Sequence, residues 1–487
     1  MSGGKVVRNT SYLVMAFVGQ KVLTFVYFTV IARTVGVEGA GRYFLAVSFT
    51  TMFSIFVDLG LANVLVREIA KFPDKAKSLL ANVLGIKLML AVLTVAAALV
   101  TARLLDYHPQ TTLMISIACA VMVLDSMHLV LYAAMRGFQN LKYEAVGVVT
   151  GQIVIITVGS TFLYLKMPLH FLVVALLCGS TWNVIWAVWS LKRRFGVLPS
   201  FRIDRPMARF LWGVTIPFAF AGIFSRVYSY IDSIMISKLI SEAAVGLYGV
   251  AYKIAFAFQF MPMAFAAALY PAMSEQYVTD RKKLGALLTV SMNYLMLIAV
   301  PIAFGVATLA EEFILMLYGP EFLGSVMPLQ ILMFSLIFAF LYWPGGSLLN
   351  ATDRQALNTA VMGTTMVLNI VLNAILIPRL GIVGAAFAAL AGNALLWAGA
   401  MWFSRKVVRV DKRAFFKMAF KTLFAGIVMS AALVALRDRT HVALLVPLAA
   451  FVYTGALFAV GGVTLKEVRV ILDVLRKKGR GVSDLIP

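Results

Sequence analysis

The sequence predicts an all-α protein that crosses a membrane many times. Of its 487 residues, 62% are apolar and only 13% are charged, whereas soluble domains hold about 45–50% apolar and about 25% charged residues. Its mean hydropathy is +0.92. The apolar residues form fourteen runs of about 20 residues, the length that a helix needs to cross a bilayer core. The runs leave only short connections, so no folded extramembrane domain fits between them.

The fourteen predicted spans follow one another along the whole chain. The first, 11–32, comes after Lys5 and Arg8 as the apolar part of a signal peptide would, but it is long enough to span and contains Gln20 and Lys21. We therefore expect it to be an uncleaved span. The predicted spans are 11–32, 43–66, 79–102, 112–134, 144–165, 170–191, 210–236, 245–270, 284–308, 326–350, 356–377, 381–403, 418–436 and 442–463.

Basic residues are distributed unevenly between the two predicted sides. With the N-terminus inside, most of the 43 Lys and Arg residues fall in inner connections, few fall in outer ones, and four lie within spans. Because basic residues concentrate in cytoplasmic loops, this asymmetry predicts an even number of spans with both termini cytoplasmic. Topology thus accounts for the net charge of +22, and nucleic-acid binding is not expected.

The scarce cysteines and histidines exclude several kinds of site. Cys119 and Cys178 both lie in apolar runs, which argues against a disulfide framework and against a Cys-rich metal site. The four histidines lack any metal-ligand spacing. A membrane glycosyltransferase or polymerase would need acids or histidines on a substantial outer loop, and the longest outer connection, 309–325, offers only three glutamates. The sequence therefore predicts a transporter with no cofactor rather than an enzyme.

An internal repeat relates the two halves of the chain. A shift of 205 residues aligns the first two spans with the seventh and eighth without gaps, so that Lys21 falls on Arg226 and Gly41 falls on Gly246. Because an even number of spans separates the copies, both have the same orientation. This predicts two parallel six-span lobes followed by two further spans. Transporters built from repeats place their substrate site near the midplane, between the repeats.

The predicted organisation has five parts. The repeat defines the two lobes, and the basic connections define the segments between and after them. The parts are an N-terminal six-helix lobe (1–192), a basic cytoplasmic linker (193–209), a C-terminal six-helix lobe (210–404), helices 13 and 14 with their basic connector (405–464), and a basic cytoplasmic tail (465–487).

Short motifs along the first twelve spans resemble those of a known family. One is Asp58-Leu59-Gly60-Leu61; the others lie at 31–36, 41–43, 232–236, 245–248, 251–253, 369–373, 376–378 and 381–386. As an ensemble they resemble the polysaccharide (O-antigen type) flippase family within the multidrug/oligosaccharidyl-lipid/polysaccharide exporter superfamily. The resemblance implies two six-helix lobes in a V around a central cavity. It also implies alternating-access transfer of a polyprenyl-pyrophosphate-linked oligosaccharide from the cytoplasmic to the outer leaflet, for cell-surface polysaccharide or glycan synthesis.

Cations inside the spans are the first candidates for a substrate site. A charge near the bilayer centre costs at least about 2.5–3.5 kcal/mol on insertion scales, so it should face a cavity or a partner. Lys21, Arg226 and Lys253 lie on spans one, seven and eight, which line the cleft in the family that the sequence resembles. An Arg fork and Lys point charges can hold a pyrophosphate. We predict that these three bind the headgroup; the alternative is structural pairing, notably of Arg226 with Asp232.

Acidic and polar residues complete the predicted site. Asp58, Lys87 and Asp125 lie at similar depths on spans two, three and four, which predicts an ion-paired cluster. Alternatively, Asp58 or Asp125 binds a coupling ion, H⁺ or Na⁺. The residues expected to line or gate the cavity are Gln20, Ser225, Tyr228, Asp232 and Tyr252.

The predicted partners are a polyprenyl-linked oligosaccharide, membrane lipids and polysaccharide-assembly proteins, at the plasma or inner membrane. Two other functions stay open. A lipid II flippase would share the headgroup chemistry. A cation-coupled multidrug antiporter would favour buried carboxylates without cationic partners. The sequence does not identify the sugar, the polyprenol, the coupling ion or the oligomeric state.

Overall fold

The computed structural model describes residues 3–463, and the side chains of all of these except 3–12, 14, 214 and 216–218. The predicted basic tail, 465–487, lies outside the described residues. Within them the chain forms sixteen α-helices. These are α1 Gly3–Asp58, α2 Leu61–Lys71, α3 Ala76–Leu104, α4 Pro109–Gly137, α5 Lys142–Tyr164, α6 Phe171–Phe195, α7 Arg205–Leu239, α8 Glu242–Ala257, α9 Phe260–Thr279, α10 Arg281–Thr308, α11 Ala310–Leu317, α12 Val326–Ala351, α13 Gln355–Leu380, α14 Ile382–Ser404, α15 Lys412–Leu436 and α16 Val442–Ala459.

The predicted class, an all-α protein with many membrane spans, is confirmed. Twelve helical segments in the described part of the chain are long and apolar enough to cross a membrane. One of them, Met15–Asp58, has 44 residues and is therefore about 66 Å long at the helical rise of 1.5 Å per residue. That is about twice the thickness of a bilayer core, and the segment covers the first two predicted spans. The seventh predicted span lies on α7, which is not among the twelve.

The helix α1 is kinked at Gly36, between the first two predicted spans. The backbone of Gly36 has φ +70° and ψ −176°, a region that is essentially restricted to glycine because a Cβ would clash there. The kink therefore depends on the absence of a side chain at this position.

We expect Gly36→Ala to lower the free energy of unfolding by about 1–3 kcal/mol, the usual cost of a residue held in such a region. Thermal unfolding in detergent would measure the change. Gly19→Ala is a matched control on the same helix, since a Cβ there would meet no atom within 4 Å and alanine favours a helix. Equal losses in the two variants would contradict the assignment of strain to Gly36.

The second predicted span ends at Asp58, so the predicted boundary at residue 66 is wrong. Leu59 and Gly60 both adopt positive φ, +48° and +91°. The Asp58 carboxylate accepts a hydrogen bond from the Gly60 N–H at 3.2 Å, which stabilises a turn. The chain then resumes as the short helix α2, which buries one face. The Asp-Leu-Gly motif thus ends the helix, although the apolar run continues beyond it.

The eighth predicted span, 245–270, is divided between two helices. The first, α8, ends at Ala257 and α9 begins at Phe260. Proline has no backbone N–H, so Pro262 cannot donate to the carbonyl of Phe258 four residues earlier. Phe258 and Gln259 form a turn instead, in which the Phe258 carbonyl accepts a hydrogen bond from the Met261 N–H at 3.2 Å.

The described chain forms two compact units that meet in sequence between Gly249 and Val250. In the first unit, α1 packs against α3, α4, α5 and α7, and α4 packs against α2 and α6. In the second, α12 packs against α9, α10 and α14, while α15 packs against α10 and α16. The first unit therefore holds the seventh predicted span as well as the first six. The predicted five-part division, with its linker at 193–209, stays a prediction.

The two glycines that the 205-residue offset aligns lie against each other in the first unit. A Cβ on Gly41 would overlap the carbonyl oxygen of Glu242, and a Cβ on Gly246 would overlap that of Val37. Val37 and Glu242 are themselves 205 residues apart, so the contacts are reciprocal, as expected of two copies related by a pseudo-twofold axis. Small residues allow such close backbone approach. An ion pair of 3.0 Å between Arg42 and Glu242 lies beside this crossing.

Candidate substrate cavity

A polar cavity of about 440 Å³ lies within the first unit, and we call it the first-unit cavity. Helices α1, α4, α5, α6 and α7 contribute side chains to it. Its ionisable and polar lining residues are Gln20, Thr50, Thr51, Ser54, Asp58, Asp125, Ser126, His128, Gln152, Ser180, Asn183 and Arg226. Polar groups are costly at membrane depth unless they have partners. Nine apolar residues complete the lining, so the cavity is suited to water or to a ligand that has both polar and apolar surfaces.

Two of the predicted substrate residues, Gln20 and Arg226, line the first-unit cavity. Lys21 follows Gln20 on α1 and lies close enough to Arg226 for the two cations to repel each other. Arg226 also hydrogen-bonds to Tyr230, one turn further along α7. The repeat therefore brings its two aligned cations, Lys21 and Arg226, into one positive region. Such a region favours a ligand with more than one negative charge.

Of the predicted cluster of Asp58, Lys87 and Asp125, the structure forms the ion pair between Asp58 and Lys87. Lys87 is completely buried, and its Nζ lies 2.6 Å from Asp58 Oδ1 and donates to the carbonyl of Ser126 at 3.0 Å. The second carboxylate oxygen of Asp58 accepts the hydrogen bond from Gly60. Because both oxygens of Asp58 are engaged, its contacts favour a structural role.

Asp125 has a different environment from that of Asp58. Its Oδ1 accepts a hydrogen bond from the Ser180 hydroxyl at 2.5 Å and lies 3.6 Å from Nδ1 of His128. The Asp125 side chain keeps 52% of its surface accessible, against 18% for Asp58. Since Asp125 lines the cavity, it is the carboxylate that a ligand can reach more readily.

Among the residues of the lining that sequence reasoning missed are Gln152, Ser180, Asn183 and His128. One signal was available, because His128 follows Asp125 by three residues and a helix places such a pair on one face. The other three lie on α5 and α6. No spacing in the sequence relates those helices to α4, so only their packing brings the residues together.

The predicted residues Ser225, Tyr228 and Asp232 lie on α7 and are not among the residues that line the first-unit cavity in the described part of the chain. Asp232 is buried and accepts a hydrogen bond from the Tyr248 hydroxyl at 2.9 Å. Tyr228 lies within electrostatic range of Asp232. These contacts tie α7 to the start of α8, and a gating role for the three residues stays a prediction.

Tyr252 and Lys253 lie on the part of α8 that belongs to the second unit. The ring of Tyr252 stacks on that of Phe256, with 5.6 Å between the centroids. Lys253 is partly buried. Their predicted roles, in the cavity and in binding the headgroup, stay predictions.

Family comparisons place the chain among known proteins. The model of the family described as polysaccharide biosynthesis protein matches residues 6–277, and the MatE model matches residues 217–375. The chain is 24% identical over 391 residues to the probable low-salt glycan biosynthesis flippase Agl15 of Haloferax volcanii, covering 78% of this chain and 79% of that protein. It is 22% identical over 431 residues to an uncharacterized membrane protein of Methanocaldococcus jannaschii, covering 83% and 85%.

Solved structures show the same fold. The lipid II flippase MurJ, in an inward closed conformation, superposes with a TM-score of 0.74 and 14% identity, covering 92% of this chain and 97% of that one. At this identity the likeness shows the fold alone. With the membrane-spanning helices and the family matches, it identifies a multi-pass membrane transporter rather than an enzyme. Since the first family model covers more than half of the chain, the protein belongs to the polysaccharide biosynthesis protein family.

Proposed function

We propose that the protein is a flippase that moves a polyprenyl-pyrophosphate-linked oligosaccharide from the cytoplasmic to the outer leaflet by alternating access, for cell-surface polysaccharide or glycan synthesis. The observation that carries the proposal is the pair of cations, Lys21 and Arg226, beside a polar cavity in a membrane-spanning unit. Two cations this close repel each other, and an anion that carries more than one charge offsets this repulsion. The relative named as a glycan biosynthesis flippase supports the substrate class.

The headgroup of such a lipid would interact with the protein, and its tail would interact with the bilayer. The guanidinium of Arg226 can donate two parallel hydrogen bonds to phosphate oxygens, and Lys21 adds a point charge. Lys253 is proposed as the third cation of this site. The sugars need a polar path, which the hydroxyl and amide groups of the first-unit cavity provide. The polyprenyl tail is apolar and can stay in the lipid throughout.

We propose fourteen membrane crossings in two six-helix lobes that form a V, with both termini cytoplasmic. The length of Met15–Asp58 supports two crossings for this segment. With α7 as a further crossing, the other eleven segments complete the fourteen. The reciprocal contacts of Gly41 and Gly246 support the repeat from which the two lobes were predicted.

Two alternative functions are favoured by particular comparisons. The shared fold with MurJ fits a lipid II flippase, whose substrate also carries a pyrophosphate. The MatE match fits a multidrug antiporter, but Lys21 and Arg226 would repel a cationic drug. A coupling ion, H⁺ or Na⁺, stays a proposal for either class. Of the two predicted coupling carboxylates, Asp58 is engaged by Lys87 and Gly60, which leaves Asp125.

Reconstitution in liposomes would decide between these functions. The purified protein would be tested with three fluorescent probes: a polyprenyl-pyrophosphate oligosaccharide, lipid II and a cationic dye. We expect transbilayer movement of the oligosaccharide to be faster than that of lipid II, with no protein-dependent movement of the dye. Movement of lipid II alone would replace the proposal by the first alternative. Movement of the dye alone would replace it by the second.

A further inference from the structure

The lining of the first-unit cavity matches a short saccharide in size and in hydrogen-bonding chemistry. Its volume of about 440 Å³ lies within the range of small-molecule sites. The amides of Gln20 and Gln152 can donate and accept hydrogen bonds. The hydroxyls of Thr50, Thr51 and Ser54 donate to helix carbonyls and can still accept. A sugar hydroxyl can both donate and accept. The lining in the described part of the chain holds no Phe, Tyr or Trp, so recognition here rests mainly on hydrogen bonds rather than on ring stacking.

Arg226 lines the same cavity, and this links the cavity to the substrate. In the proposed function, on which this inference rests, Arg226 holds the pyrophosphate. In a polyprenyl-pyrophosphate glycan the first sugar is bonded directly to the second phosphate. A pyrophosphate at Arg226 therefore places the first sugar next to it, within reach of the cavity lining.

The ionisable groups around the cavity leave one accessible carboxylate. Asp58 on α1 is paired with Lys87 of α3. His128 on α4 lies within range of Lys87 as well as of Asp125. Arg226 is the cation contributed by α7. Asp125 accepts from Ser180 of α6 and still exposes half of its side chain.

An accessible carboxylate discriminates between sugars by charge. It accepts hydrogen bonds from hydroxyl or ammonium groups, but it repels the carboxylate of a uronic acid, and such like-charge contacts strongly suppress binding. We propose that the first-unit cavity binds the sugar nearest the pyrophosphate, and that Asp125 restricts this position to neutral or amine-bearing sugars. Asp125 is then a residue that determines specificity.

The test uses three polyprenyl-pyrophosphate disaccharides in proteoliposomes. The first has two neutral hexoses, the second has a hexuronic acid next to the pyrophosphate, and the third has the hexuronic acid at the distal position. For the wild type we expect the second to move at least about tenfold more slowly than the first. The third should move at a rate similar to that of the first.

The variant Asp125→Asn keeps the shape and the acceptor oxygen but removes the charge. We expect the ratio of the two rates to change: in this variant the second disaccharide should move at a rate within about threefold of that of the first. Thermal unfolding would establish that the variant is folded. If the variant is not folded, the wild-type melting temperature can be measured with glucose 1-phosphate and with glucuronic acid 1-phosphate. Only glucose 1-phosphate should raise it.

Other outcomes would overturn the inference. Equal wild-type rates for the first and second disaccharides would show that Asp125 does not select, while the flippase function would stand. Loss of movement of every disaccharide in folded Asp125→Asn would assign Asp125 to ion coupling instead. No movement of any disaccharide by the wild type would overturn the proposed function itself.

Discussion

Arg226→Ala and Lys21→Ala are each expected to slow movement of the lipid-linked oligosaccharide by about 10- to 150-fold. A hydrogen bond to a charged group contributes about 1.5–3 kcal/mol, and each 1.4 kcal/mol corresponds to a factor of ten in affinity. The initial rate in proteoliposomes, measured at low substrate concentration, would report the loss. Arg226→Lys should fall between Arg226→Ala and the wild type, because it keeps the charge but loses the planar fork.

The same substitutions separate a substrate role from a structural one. Lys21 and Arg226 lie close enough to repel each other, so removal of either cation relieves this repulsion, although Arg226→Ala also removes the hydrogen bond to Tyr230. Inorganic pyrophosphate should stabilise the wild type and stabilise both variants less. Lys77→Ala is a matched control, since Lys77 is an exposed cation of the same unit and should affect neither the rate of movement nor the stabilisation by pyrophosphate. A normal rate in Arg226→Ala would show that the pyrophosphate binds elsewhere.

Lys87→Met is expected to lower the free energy of unfolding by about 3–5 kcal/mol, the usual cost of removing one partner from a buried ion pair. Lys87 is fully buried, and its ammonium lies 2.6 Å from the carboxylate of Asp58. Methionine fills much of the same space but leaves that carboxylate with an uncompensated charge. It also removes the donor to the Ser126 carbonyl. Thermal or chemical unfolding in detergent would measure the loss.

A second substitution tests whether the uncompensated charge of Asp58 causes the loss of stability in Lys87→Met. Asp58→Asn in the Lys87→Met background should recover a large part of the lost stability, because the buried charge is gone while an acceptor for the Gly60 N–H remains. Lys77→Met is the control on the same helix, where the lysine is exposed, and it should cost little. If Lys87→Met were as stable as Lys77→Met, the pair would not contribute to folding.

Hydropathy and charge asymmetry, read along the chain, were sufficient to predict the membrane class and most of the helices. The ends of the helices depended on local turns. Asp58 and Gly60 end α1 inside an apolar run. The Asp58 carboxylate accepts a hydrogen bond there and Gly60 adopts a left-handed conformation, and together they stabilise a turn that the hydropathy pattern does not predict. Pro262 follows the break between α8 and α9 for the equally local reason that it cannot donate a hydrogen bond.

The sequence by itself determined the membrane class, the repeat and the unusual intramembrane charges, because each is a property of composition or spacing. Only the tertiary structure decided that Asp58 is engaged by Lys87 while Asp125 stays accessible beside Ser180 and His128. Spacing shows which residues share one helix face. It does not show how far each helix is rotated against its neighbours, since that depends on the packing of whole helix surfaces. The assembly of the cavity from five helices is therefore a result of packing.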